Sequence, residues 1–329
     1  MNNKQIYKAT LGFSVRRLLW DFLAFLILGG LSFGGFLIGD KAASSEESGA
    51  GLIGLAIGAV LGIVVLVLML RFVSYSYKAG QIAMMTKGIT EGQLPDNVVK
   101  EGRRVVKERF STVAGFFLVT GLIKGIFNQL GKGIEALGTA VGGRDGGTVG
   151  SAISSVIQTV VAYLCDCCLG WVFYRSEVTA PKATCEGAVI FFKHGKVLAK
   201  NLGRVFGMGV VSFILIGGLL TGGFYAVSGV IPSSAVNEIS GAFAEMNTEE
   251  PSAVIGFMSD PANVRLGLSI VAAIILWSIV HSAFVRPFVL AGVLRNFLEA
   301  GMNDVPDESA FSSLDGRSDK FRKLHSQLA

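Results

Sequence analysis

Six apolar runs punctuate the chain, at residues 18–39, 51–70, 111–131, 151–174, 205–227 and 266–285. A helix rises 1.5 Å per residue, so roughly 20 residues cross a hydrocarbon core of about 30 Å. Each run is of that order. The pattern predicts an all-α fold, a polytopic helical membrane bundle of about six transmembrane helices spread over residues 1–300. Residues 301–329, rich in Asp, Ser and Lys, are expected to form a mobile, solvated cytoplasmic tail.

Between the runs, two polar segments carry a helical period. In 71–110, Asp96 follows Pro95 and can cap a helix in which Val98, Val99, Gly102, Val105, Val106 and Phe110 share a face opposite Arg103, Arg104 and Lys107. In 175–204, Lys193, Lys196, Lys200 and Arg204 recur at helical spacing. Both read as basic amphipathic helices on the cytoplasmic face, where an anionic inner leaflet is the natural partner.

Charge fixes the expected orientation. The N-terminal segment and the segments after the second and fourth runs each sum to +4, whereas those after the first, third and fifth sum to −2, 0 and −5. Basic loops stay on the cytoplasmic side, so both termini are predicted there, in a multi-pass protein of the plasma membrane. The first run could mimic a signal peptide, but it exceeds the usual 7–15 apolar residues and contains Asp21. The third run is interrupted by Lys124 and Asn128, so residues 111–141 read as a span or as a span broken by an interfacial turn.

Composition agrees with this class. The chain of 329 residues is 51% hydrophobic and only 16% charged, with 43 glycines, against about 25% charged in soluble domains. Its net charge of +5 is accounted for by loop topology, and no nucleic-acid partner is expected. Gly54, Gly58 and Gly62 repeat at four-residue spacing, as do Gly30 with Gly34 and Gly218 with Gly222. Such strips let helices approach closely, within one chain or at a homo-oligomer seam. A weak internal repeat sets Phe72-Val73 and Ala79-Gly80 against Phe284-Val285 and Ala291-Gly292, each followed by Pro-Asp, at 95–96 and 306–307.

Candidate chemistry lies in ionisable residues within apolar runs. Unpaired, a carboxylate at mid-bilayer costs roughly 2.5–3.5 kcal/mol on insertion scales, so Asp166 must find a partner, a proton or water. Asp21, Lys124, Asn128, Asp166 and His281 form the candidate intramembrane polar set, with Arg71 and Arg286 as ion-pair or lipid-headgroup partners. Such a set suits a channel-like or transporter-like path for a small solute or ion past Asp166 and Lys124. The alternative is a non-catalytic scaffold that binds anionic lipid and cytoplasmic or membrane-complex partners through its basic helices.

Cys165, Cys167 and Cys168 lie on one helix, where adjacent side chains diverge by about 100° and cannot close a tetrahedron. No metal or cofactor is expected from them. No HExxH, GxSxG, P-loop or dinucleotide fingerprint occurs in a credible context, so an enzyme is not expected.

Overall fold

The computed structural model describes residues 1–42, 50–110, 115, 117–126, 129, 147–199, 202–249 and 252–328, and every regular element among them is helical. In chain order these are α1 (Asn3–Ala42), α2 (Ala50–Leu68), α3 (Tyr75–Thr90), α4 (Val98–Arg109), α5 (Phe117–Ile126), α6 (Gly147–Tyr174), α7 (Ala180–Ala199) and α8 (Leu202–Ser212). They continue with α9 (Gly218–Val227), α10 (Ser233–Glu249), α11 (Ala253–Met258), α12 (Pro261–Val280), α13 (Arg286–Asn303), α14 (Glu308–Asp315) and α15 (Asp319–His325).

Three wide π turns, Met69–Ser74, Phe213–Gly217 and His281–Val285, join α2 to α3, α8 to α9 and α12 to α13 without a break. Four stretches among the described residues are long and apolar enough to cross a membrane: Asn3–Ala42, Ala50–Leu68, Gly207–Val230 and Pro261–Asn303. Runs 111–131 and 151–174 coincide instead with the shorter apolar stretches Phe117–Ile126 and Val161–Tyr174.

The chain divides into two compact units. The first comprises residues 1–14, 76–208 and 286–329, the second residues 15–75 and 209–285.

The second unit holds most of the apolar surface. Here α1 and α2 meet along glycines: a methyl group added to Gly54 would strike the Gly35 carbonyl, and one on Gly58 the Leu31 carbonyl. At Gly62 the added carbon would come within 2.7 Å of Leu28. By contrast, Gly30, Gly34, Gly218 and Gly222 have open space where a side chain would stand. Most large aliphatic side chains of α2 are exposed, as lipid contact requires.

The first unit buries its large apolar side chains against one another. Trp171 of α6 is fully buried, and a methyl group added at Gly301 of α13 would come within 2.5 Å of its ring. Ile190 of α7 stands beside the same glycine, Leu294 of α13 lies against Gly170, and Leu290, Phe297 and Leu298 of α13 are buried in the same unit. The N-terminal turns of α1 join through buried Ile6, Thr10 and Phe13. Phe13 lies where Gly80 of α3 and Gly102 of α4 leave room for it.

The expected solvated tail is corrected here for residues 308–325. Phe311, Leu314, Phe321 and Leu324 are buried against Ile126 of α5 and Cys185, Ala188 and Val189 of α7. Ser318 caps α15, accepting from the Phe321 amide at 3.1 Å, and donates to Gln129 at 2.6 Å. The many polar residues of this stretch conceal four apolar ones that a two-helix hairpin gathers on one side.

The internal repeat has a structural counterpart. Each copy begins inside a π turn (69–74 and 281–285), runs into the next helix (α3 and α13), and ends in a Pro-Asp pair just before a short helix (α4 and α14).

The glycine contacts generate a test. Gly54→Leu should lower stability by about 1–3 kcal/mol, the usual cost of overpacking. Gly222→Leu should change it little. Thermal unfolding of both purified variants in one detergent checks the contrast.

Candidate functional site: two buried charge clusters

Asp166 lies on the third-last turn of α6, 3% exposed. Two cations answer it. Lys78 Nζ of α3 stands 2.5 Å from Oδ1, and Arg286, the first residue of α13, donates to Oδ2 through Nη2 at 2.6 Å and Nε at 3.2 Å. Arg286 Nη2 also donates to the Ala162 carbonyl at 3.0 Å, and its guanidinium lies 5.3 Å from the centre of the Tyr163 ring. One carboxylate therefore ties three helices, and each oxygen has its own partner. This satisfaction is what a buried ion needs to offset its desolvation.

Asp21 is answered separately, within the second unit. It is fully buried, accepts from the Ser74 hydroxyl, and faces Arg17 Nε one turn earlier at 3.5 Å. Arg17 in turn donates to the Ser282 hydroxyl and, at 3.0 Å, to the Ser282 carbonyl. Ser74 and Ser282 belong to two of the π turns. A π turn widens the helix by one residue and leaves backbone carbonyls askew, which gives the arginine of α1 an acceptor to reach.

The remaining expected residues fall as follows. His281 opens the third π turn with its ring 5.2 Å from Trp277. Lys124 is exposed on α5, and Asn128 lies outside the described residues. Arg71 sits in the first π turn; its side chain and that of Lys196 on α7 lie outside the described residues, as does Lys200 entirely.

On α4, Arg104 pairs with Glu101 at 2.6 Å and Glu108 at 2.5 Å. Arg103 lies 6.0 Å from the Tyr77 ring centre, and Lys107 is exposed. Lys193 of α7 pairs with Asp304 at 2.8 Å, and this contact holds the Asp304 carboxyl below its ordinary range. The basic ridge is thus partly self-neutralised.

Sequence reasoning misses Lys78, because it takes residues 71–110 as one surface segment. The signal is present all the same: Ala79, Ile82, Ala83 and Thr86 recur at helical spacing and are all buried. It also misses Glu186, a buried carboxylate on α7 that accepts from Trp171 Nε1 at 2.9 Å and from Arg175 at 3.0 and 3.1 Å. Arg109 closes the end of α6, donating to the carbonyls of Arg175 at 3.1 Å and Val178 at 2.9 Å. A cation is well placed on such orphaned carbonyls.

Among the described residues no group of three metal-ligating side chains converges. The four cysteines are free thiols, and burial pushes Cys185 up to about 12.

Fold and clusters together define the class, a multi-pass all-α membrane protein. No protein-family model, curated protein or solved structure matches the chain.

Two outcomes follow. Asp166→Ala should destabilise the protein by roughly 3–5 kcal/mol, because it strands two cations. Asp166→Ala combined with Arg286→Met should recover part of that loss, as chemical denaturation of the four members of the cycle would reveal. Cys185, fully buried and with its thiol pushed up to about 12, should resist maleimide at pH 8 in the folded protein and react on unfolding, as mass spectrometry reads.

Proposed function

We propose that the protein is a non-catalytic, four-span scaffold of the plasma membrane, whose first unit lies on the cytoplasmic side and engages the anionic inner leaflet and cytoplasmic partners. One observation carries this reading. Of the 29 basic residues, 24 fall in the first unit with 15 of the 24 acids, giving it +9, while the second unit carries −4. The unit rich in apolar spans is therefore poor in cations, and the well-packed unit is rich in them. That is the partition expected when one is embedded and the other faces the cytoplasm.

In this topology residues 43–49 and 231–260, which contain acids and no cations, face away from the cytoplasm, and both termini lie in it. Runs 111–131 and 151–174 then belong to the cytoplasmic unit, which accords with the burial of Trp171, Cys167, Cys168 and Val172 by protein. A path for solute past Asp166 and Lys124 is favoured less: Asp166 is saturated by Lys78 and Arg286, and such a carboxylate serves to fix helix register.

Lipid contact would fall to the exposed cations of α4, Lys100, Arg103 and Lys107. Each cation near an anionic surface contributes about 1 kcal/mol. The variant with all three changed to Gln should therefore lose about tenfold or more of its preference for phosphatidylglycerol over phosphatidylcholine. Competition for lipid in detergent, followed by native mass spectrometry, measures it. An unchanged preference would remove the lipid half of the proposal, and solute flux in proteoliposomes abolished by Asp166→Asn would replace the scaffold with a transporter.

A further inference from the structure

The connection between α9 and α12 carries an unusual short helix. Residues 252–259 read Ser-Ala-Val-Ile-Gly-Phe-Met-Ser, with no charge among them, and Ala253–Met258 form α11. Ser252 caps its start, accepting from the Ile255 amide at 3.2 Å, and Asp260 caps α12 two residues after its end.

One side of the helix rests on its neighbours. Met258 packs on α12 at Gly267, where an added methyl group would collide with its thioether, and Ile255 on the same side is half-buried. Farther round the helix Val254 is 72% exposed and Phe257 40%. Beyond Gly267, α12 continues the same kind of surface, with Ile270, Val271 and Ile274 all exposed.

In water, the outward valine and phenylalanine of this uncharged helical turn would gain nothing from their exposure. Helices α10 and α12 pack on α11, yet Val254 and part of Phe257 stay open to the outside. At the edge of a bilayer the same turn is satisfied: the backbone of α11 is internally bonded, its caps reach the headgroups, and its apolar pair meets acyl chains. Acids bracket the helix in sequence at Glu249, Glu250 and Asp260, and none falls within it.

We propose that α11 is an interfacial anchor that inserts Val254 and Phe257 into the leaflet opposite the cytoplasm. Its occupant is lipid, specifically the boundary between headgroups and acyl chains. The inference rests on the four-span topology, and it goes beyond that topology by giving the long acidic loop a membrane contact of its own. The anchor fixes the mouth of the α9 and α12 hairpin at the surface.

Depth measurement tests it. The full chain, with its four native cysteines replaced, is reconstituted in phosphatidylcholine and phosphatidylglycerol vesicles carrying one spin label at a time, at Val254→Cys, Phe257→Cys, Ser252→Cys or Val271→Cys. Collisions with oxygen and with a water-soluble nickel chelate report depth. Labels at 254 and 257 should favour oxygen severalfold over the label at 252 and approach the value at 271.

Chelate-dominated collisions at 254 and 257, with 271 still oxygen-rich, would overturn the anchor and leave the spans intact. Chelate access at 271 as well would overturn the topology itself. Low collision rates with both reagents at 254 and 257 would mean that protein, from this or another copy, covers the site, which also overturns the lipid assignment. Retention of the reconstituted variants' helical circular dichroism guards against misfolding as the cause.

Discussion

Backbone polar groups have no partner in hydrocarbon except one another, and the architecture follows from that constraint. Helices α1, α2 with α3, and α12 with α13 run unbroken well past their apolar parts. Since the backbone bonds cannot lapse where a polar residue must be admitted, the chain widens them instead. Two of the π turns supply Ser74 and Ser282 to the α1 charges.

The same logic governs charge. Neither Asp21 nor Asp166 is left to water, and each is met by an arginine on a helix that also carries apolar surface. Such pairs add little net stability compared with well-packed apolar residues, yet a broken one is severely unfavourable. They specify which helices meet and at what register. In the first unit, Asp166 selects α3 and α13; in the second, Asp21 selects the segment around Ser74.

Much of this is written in the apolar pattern. Four of the six apolar runs lie in helices long and apolar enough to cross a membrane, and the Gly54, Gly58 and Gly62 strip is where α2 meets α1. What periodicity could not separate is a helix bathed in lipid from one enclosed by protein, because both are apolar all round. Val161–Tyr174 is the case in point: Trp171 is buried by α7 and α13, and Glu186 hydrogen-bonds its indole. Lys78 and the hairpin at 308–325 are obscured for the opposite reason, since sparse apolar positions among many charges hide a buried face. The π turns carry no compositional mark, although the repeated Phe-Val pairs at 72–73 and 284–285 fall in two of the three.

The first unit is assembled from three separate stretches of chain, 1–14, 76–208 and 286–329. During synthesis its opening turns emerge long before Phe297, Phe311 and Phe321, which complete its core. Until every hydrophobic rod has been threaded, Ile126, Val189 and Trp171 lack their cover. Stalled or clipped chains would therefore leave bare the apolar surface that the finished core hides, and only the last helices to be made close it.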